Sequence, residues 1–254
     1  YILYLQALDG GLVDLSGVQQ ITSGVTQVLA DGSNSIVDLS SLTSWVDNDP
    51  GDTSAITVSH GGTVLIPHLQ DLYAVDLNFN GDGNLDTSSL KTWKNSNITV
   101  TGTNLNFSNL IDVTSSGFNL SNTNLNFGNV QEMSWTGWTF NPGTVVDFSQ
   151  ATNINHSSFY TKQGVKLSFP AATSYTTLYN RVIQAQGIGS EIDLSSLTTM
   201  TGGTQISYYY SSVVGDGYIL YLQALDGGLV DLSGVQQITS GVTQVLADGS
   251  NSIV

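Results

Sequence analysis

The chain has 254 residues, of which 40% are hydrophobic and 10% charged, with a net charge of −15 and no Cys. All five Lys and Arg residues lie between 91 and 181, which excludes a nucleic-acid partner and an anionic membrane surface, because both bind through basic patches. The lack of Cys excludes disulfides and thiolate sites. The sequence contains no run of about 18 apolar residues, so no membrane-spanning segment is predicted.

The first predicted element along the chain is a nine-residue motif that recurs throughout. It has the form apolar–Asp/Asn–apolar–Ser–x–apolar–x–x–apolar, as in VDLSGVQQI from Val13 and IDLSSLTTM from Ile192. In chain order the copies begin at Val13, Val37, Val64, Leu85, Leu105, Leu125, Val146, Leu167, Ile192 and Val230. Within the first nine copies, only Thr87 breaks the apolar rule at positions one, three, six and nine. The alternation over the first three positions predicts a short β-strand in each copy.

A second short alternating piece precedes most copies of the motif, as at 98–100, 118–120 and 138–140, and Gly, Asn or Asp usually separates the two. Each period of about 20–27 residues then holds two or three strands with their turns and no room for a helix of ten residues. The sequence predicts an all-β fold, a parallel β-solenoid or β-helix of nine or ten coils. Like positions would stack at about 4.8 Å, and a degenerate tenth copy is expected around Tyr208–Tyr210.

The main structural alternative is a leucine-rich horseshoe. Its Leu-x-Leu strand pattern resembles LNFSNL at 105–110. However, no Asn recurs at one fixed position and no helical half-repeat is visible, so the solenoid is favoured.

A longer repeat encloses the short one. Residues 1–37 recur without a change at 218–254. We interpret 1–217 as one β-solenoid repeat unit and 218–254 as the start of the next identical unit, cut from a longer tandem array, because identity at a fixed period is typical of arrays. The alternative is a chain whose matching ends overlap by design.

One segment carries the spacing of a calcium loop. NFNGDGNLD fits D/N-x-D/N-x-D-G-x-x-D, in which alternate oxygen ligands wrap a hard cation. The candidate ligands are the side chains of Asn78, Asn80, Asp82 and Asp86 and the carbonyl of Asn84. Gly83 would permit the bend, but Ser89 replaces the bidentate Glu of a full EF-hand loop. Alternatively, Asp86 only faces solvent in the motif's second column and the rest forms an ordinary turn.

Other polar and aromatic groups carry weaker signals. The acidic segment 47–52 lacks ligand spacing and is interpreted first as a surface turn. His60, His68 and His156 are scattered, and nothing in the sequence places the single arginine, Arg181, near Asp82. We therefore expect no enzymatic activity and no catalytic residues.

Exposed aromatic side chains are the remaining candidates for binding. Trp135, Trp138 and Tyr208–Tyr210 could stack on sugar rings or on another filament if they face outward. Trp138 fits a strand position and is expected in the core, whereas alternation in the Tyr run requires at least one ring to face outward.

Acidic, Cys-free coils rich in Gly, Asn, Ser and Thr resemble bacterial surface β-solenoid repeat proteins of the giant adhesin-like or fibre-forming type. The resemblance implies an extracellular, cell-surface location and a non-enzymatic role. We expect a structural segment of a long filament, fibre or adhesive stalk, with its own copies as partner. The alternative function is a carbohydrate-binding or tailspike-like β-helix module with a surface glycan as partner.

Overall fold

The computed structural model describes residues 1–49, 52–203 and 218–254, and within them it contains only β-strands, turns and bends. In chain order the strands are β1 (Ile2–Leu8), β2 (Leu12–Asp14), β3 (Gln20–Ile21), β4 (Val25–Asp31), β5 (Ile36–Asp38), β6 (Ser44–Val46), β7 (Ser54–Ser59), β8 (Thr63–Leu65), β9 (Asp71–Tyr73), β10 (Val75–Asn80), β11 (Asn84–Leu85), β12 (Thr92–Lys94), β13 (Asn97–Thr101), β14 (Gly117–Ser121), β15 (Asn124–Asn126), β16 (Gly137–Phe140), β17 (Val145–Asp147), β18 (Ser158–Lys162), β19 (Lys166–Ser168), β20 (Ser174–Thr176), β21 (Arg181–Gln186), β22 (Glu191–Asp193), β23 (Thr199–Thr201), β24 (Ile219–Leu225), β25 (Leu229–Asp231), β26 (Gln237–Thr239) and β27 (Val242–Asp248).

The strands form the three faces of a parallel β-solenoid of about 10 turns, as the sequence predicts. The first face is one sheet of 11 strands in the order β1-β4-β7-β10-β13-β14-β16-β18-β21-β24-β27. The second face consists of the sheets β11-β8-β5-β2, β15-β17 and β19-β22-β25, and the third face of β12-β9-β6-β3 and β20-β23-β26. The leucine-rich horseshoe is excluded, because its helical half-repeats do not occur among the described residues.

Strand register confirms the motif columns. On the second face Val13 pairs with Val37, and Val37 in turn pairs with Val64. On the third face Trp45 pairs with Leu72 in the same way. Like positions stack because a shift of one residue would turn every apolar side chain outward.

The interior is filled by the apolar columns. In the central coils one column is aromatic, and Phe107, Phe127, Phe148 and Phe169 stack with successive ring centroids 5.0, 5.4 and 5.6 Å apart. Trp138 lies in this core with no exposed surface, as expected. Thr87, the polar residue at an otherwise apolar motif position, is also buried, and its hydroxyl donates to the carbonyl of Asn106 at 2.7 Å. The exception to the apolar rule is therefore satisfied by the next coil.

The corner between the third and first faces has a repeated backbone geometry, and three of its five residues, Asn95, Ser115 and Trp135, are exposed. Its residues have left-handed backbones and each donates its N–H to a carbonyl of the following coil: Ala74, Asn95, Ser115, Trp135 and His156. In the later four coils the next residue carries a buried hydroxyl: Ser96, Ser116, Thr136 and Ser157. The hydroxyl of Ser157 accepts the N–H of Thr136 at 3.0 Å, so buried N–H groups at this corner are satisfied between coils. We call this edge the displaying corner.

Candidate functional site

The predicted calcium residues follow the outer surface around a different corner. Asn78 and Asn80 lie on β10 of the first face, Asp82 lies in the turn, and Asn84 begins β11 of the second face. All four side chains and that of Asp86 are exposed. The five residues therefore span two strands and a turn, and only Asp82 and Asp86 among them bear a charge.

The backbone bend in this segment is made by Gly81 and not, as the sequence analysis expects, by Gly83. Gly81 has the left-handed backbone, with φ at +69°. Gly83 lacks a positive φ, and a Cβ added to it would lie 2.3 Å from a methyl carbon of Val58. Gly83 is thus needed for close packing on the preceding coil, and Gly81 makes the turn.

The second column of the motif has a local role that the sequence analysis missed. Its Asp or Asn Oδ1 atoms accept the N–H of the residue two positions later, which is an Asx turn. The residues that do this are Asp14, Asp38, Asp86, Asn106, Asn126, Asp147, Asp193 and Asp231. Hydrogen bonds from Ser88, by side chain and then by backbone, hold the pKa of Asp86 below its usual value. The Asp-x-Ser spacing was the signal that could have revealed this turn.

The acidic segment 47–52 surrounds one buried carboxylate. Oδ2 of Asp47 accepts both the N–H and the hydroxyl of Ser54, each at 2.8 Å, while Oδ1 accepts the N–H of Asp49 at 2.9 Å. Pro50 and Gly51 lie outside the described residues, so the surface turn stays a prediction. A cavity of about 490 Å³ adjoins this segment and is lined by Asp47, Asp49 and Asp52 with Tyr73 and Asn95 from later coils. Within the described ranges, no three His, Cys, Asp or Glu side chains are grouped to hold a metal ion.

An aromatic cluster lies on the displaying corner. Trp135 is 37% exposed and stacks on His156 with ring centroids 4.0 Å apart and planes at 25°. Tyr179 approaches Trp135 at 5.5 Å, and Tyr218 packs edge-on against Tyr179 at 4.8 Å. Cζ of Arg181 lies 5.6 Å from the indole centroid. We call these five residues the aromatic corner. The predicted Tyr208–Tyr210 run lies outside the described residues.

Hydrogen bonds hold the aromatic corner in place. The N–H of Leu178 donates to Nδ1 of His156 at 3.1 Å, so the proton of the neutral ring is on Nε2. Burial, and then the charge of Arg181, lower the pKa of His156 below its ordinary value. Nε of Arg181 donates to the carbonyl of His156, and Nη1 donates to the carbonyl of Asn180 at 2.9 Å. In the sequence Trp135 and Arg181 are separate candidates, because the coil spacing that brings them together is visible only in the strand register.

The repeated 37-residue segment is seen with two different neighbours. In the first copy β4 pairs with β7 of the following coil, from Gln27 opposite Ala55 to Asp31 opposite Ser59. In the second copy β24 pairs with β21 of the preceding coil, and Ile183 lies opposite Leu222. The two copies together show how one sequence stacks on both sides.

Comparisons with family models, with curated proteins and with solved structures found no match for this chain. Among the described residues, no helix has the length and apolar character required to cross a membrane.

Proposed function

We propose that this chain is a structural repeat segment of a long, non-enzymatic filament, fibre or adhesive stalk on the bacterial cell surface. The observation that carries the proposal is the stacking of the repeated segment. In the second copy β24 continues the first face directly after β21 in register. In the first copy β4, whose sequence recurs in β27, continues the face into β7. A 217-residue unit can therefore follow another without a break in the sheet.

The proposed role is to resist extension along the solenoid axis. Every coil adds a strand to the first face, so backbone hydrogen bonds between coils run along the axis and resist its extension together. Each coil is also buried by its neighbours, which makes stability a sum of coil and interface contributions. The net charge of −15 would keep parallel filaments apart at low ionic strength. The bacterial, extracellular setting is supported by the resemblance in composition and column pattern.

The proposal is tested by measuring the length of a polypeptide with two units, in which residues 1–217 occur twice in succession and are followed by residues 218–254. We expect X-ray scattering to show one rigid rod, longer than the present chain by roughly 45 Å, which is nine or ten coils at about 4.8 Å. A flexible Gly/Ser linker inserted between 217 and 218 is the control and should abolish the fixed length. Two independently tumbling bodies in the uninterrupted chain would contradict the proposal.

Calcium binding by Asn78, Asn80, Asp82, Asn84 and Asp86 is a separate proposal. It is supported by the ligand spacing and by the exposure of all five side chains. A cation bound only by the folded chain raises the melting temperature, so calorimetry with calcium should show an increase that Asp86→Asn diminishes. Asp231→Asn is the matched control, because Asp231 accepts the N–H of Ser233 in the same way but lies outside the calcium segment 78–86. No response of the parent chain to millimolar calcium would remove the proposal.

A further inference from the structure

The aromatic corner is the one place where an exposed tryptophan is held rigidly. Three of the four tryptophans, Trp45, Trp93 and Trp138, have no exposed surface, whereas Trp135 is 37% exposed. Its backbone is left-handed, with φ at +63°, as at the other four residues of the displaying corner.

Among the residues that the structure describes, no ring from an earlier coil lies against the indole. The rings and the cation that contact Trp135 all belong to later coils, namely His156, Tyr179 and Arg181. The preceding coil places Ser115 at the equivalent corner position, with the same left-handed backbone. Ser115 is exposed and too short to cover the indole. A flat apolar surface therefore remains next to small polar side chains, which is the composition of a site for a ring-shaped polar ligand.

The aromatic corner belongs to a part of the chain that is less acidic than the rest. Residues 91–181 contain all five Lys and Arg residues but only Asp112, Glu132 and Asp147 of the 20 acidic residues. Among the described residues, no carboxylate pairs with Arg181, whose Nε and Nη1 donate to two backbone carbonyls. The one guanidinium of a strongly acidic chain thus retains its charge for an anion, and its planar fork suits a carboxylate.

We infer that the aromatic corner binds an acidic sugar, a hexopyranose that carries a carboxylate, as part of a glycan. The sugar ring packs against the exposed part of the Trp135 indole on the outer surface, between Ser115 and His156, and its carboxylate pairs with Arg181. Nε2–H of His156 is available as a donor to a sugar hydroxyl, because Nδ1 already accepts from Leu178. The site adds a binding activity to the proposed structural role, and it stands if the filament proposal fails.

Trp135 supplies its own probe. Because the other three tryptophans are fully buried, collisional quenching of the fluorescence by acrylamide reports mainly on Trp135. We expect a galacturonic acid oligomer to protect Trp135 from acrylamide, and a neutral galactose oligomer of equal length to protect it much less. Added salt should weaken the acidic ligand, because an exposed ion pair is screened. Equal protection by both oligomers, or protection by neither at millimolar concentration, would overturn the inference.

Two substitutions separate the ring from the charge. Trp135→Gly removes the indole and suits the positive φ, so it should keep the fold while calorimetric titration shows at least about a tenfold loss of affinity for the acidic oligomer. Arg181→Gln should reduce the preference for the acidic over the neutral oligomer by about tenfold. Circular dichroism checks that both variants keep the parent's strand content.

Tyr73→Ala is the matched control. Tyr73 is an aromatic residue of the third face that is 41% exposed, and it immediately precedes Ala74 of the displaying corner, away from the aromatic corner. This variant should bind the acidic oligomer like the parent. A loss as large as that of Trp135→Gly would show that binding is not located at the aromatic corner, and would overturn the inference.

Discussion

The two copies of the 37-residue segment have one sequence and opposite exposure. In the first copy Leu3 is 55% exposed, but its counterpart Leu220 has no exposed surface, because β24 lies between β21 and β27. The reverse holds further along, where Val28 is 2% exposed and its counterpart Val245 is 55% exposed. Identical residues therefore differ in burial solely through the coil stacked on them.

This difference shows that the unit of stability is a coil together with its neighbours. A coil's apolar columns are buried only when the next coil covers them, as in other repeat architectures. The same substitution made in each copy isolates the contribution of the neighbour, since the local sequence is held constant. The predictions below use such pairs and run from the largest effect to the smallest.

The largest effect is expected for the pair Leu222 and Leu5. Leu222 has no exposed surface, whereas Leu5 is only partly buried. Leu222→Ala should lower the free energy of unfolding by about 3 kcal/mol, through lost contacts and a cavity, and Leu5→Ala by about 1 kcal/mol. Urea unfolding followed by circular dichroism measures both. Equal losses would mean that the coil before β24 contributes no packing to it.

For the next pair, Gly234 and Gly17, the expected changes in stability have opposite signs. A Cβ added to Gly234 would lie 1.8 Å from the carbonyl oxygen of Ser195, whereas a Cβ on Gly17 would have no atom within 4 Å. Gly234→Ala should destabilise the chain by about 2 kcal/mol, because backbone must shift. Gly17→Ala should instead stabilise it by about 0.4–1 kcal/mol, since neither glycine has a positive φ and Ala reduces the entropy of the unfolded chain.

The melting temperatures of these two variants should therefore move in opposite directions from that of the parent chain. A stabilising Gly234→Ala would show that the stacking of the second copy on the coil containing Ser195 is looser than the structure has it.

Most of the fold could be predicted from the sequence because the signal is repeated. One copy of the motif gives a weak indication of a strand, but nine copies align apolar columns that only stacked coils can bury. The pairings of Val13 with Val37 and of Trp45 with Leu72 confirm this. The third face could be predicted only in part: the motif's ninth position marks its buried column, but strands as short as Gln20–Ile21 leave no alternation to detect.

The candidate sites were harder to predict because they depend on contacts between coils. Trp135, His156 and Arg181 are 20 or more positions apart in sequence, and unequal coil lengths hide that they meet. The second column of the motif is the opposite case, because its role depends only on neighbouring residues. Asp14 and Asp38 each accept the N–H of a residue two positions later. That role is local and could have been inferred from Asp-x-Ser alone.

The smallest effect concerns Asp31, which His60 of the next coil contacts at 2.6 Å between Nδ1 and Oδ1. The hydrogen bond that Nδ1–H of His60 donates to the Asp31 carboxylate, and then the charge of that carboxylate, raise the pKa of His60 above the ordinary 6.5. The pair therefore stabilises the fold below pH 6.5, and this contribution is lost as the pH rises through the raised pKa. Asp31→Asn should shift the titration midpoint of His60, followed by its Cε1–H resonance, down toward 6.5. The counterpart Asp248 belongs to the second copy, so Asp248→Asn should leave that midpoint unchanged. An equal shift from both variants would mean that His60 responds to the overall charge of the chain and not to the coil on which it is stacked.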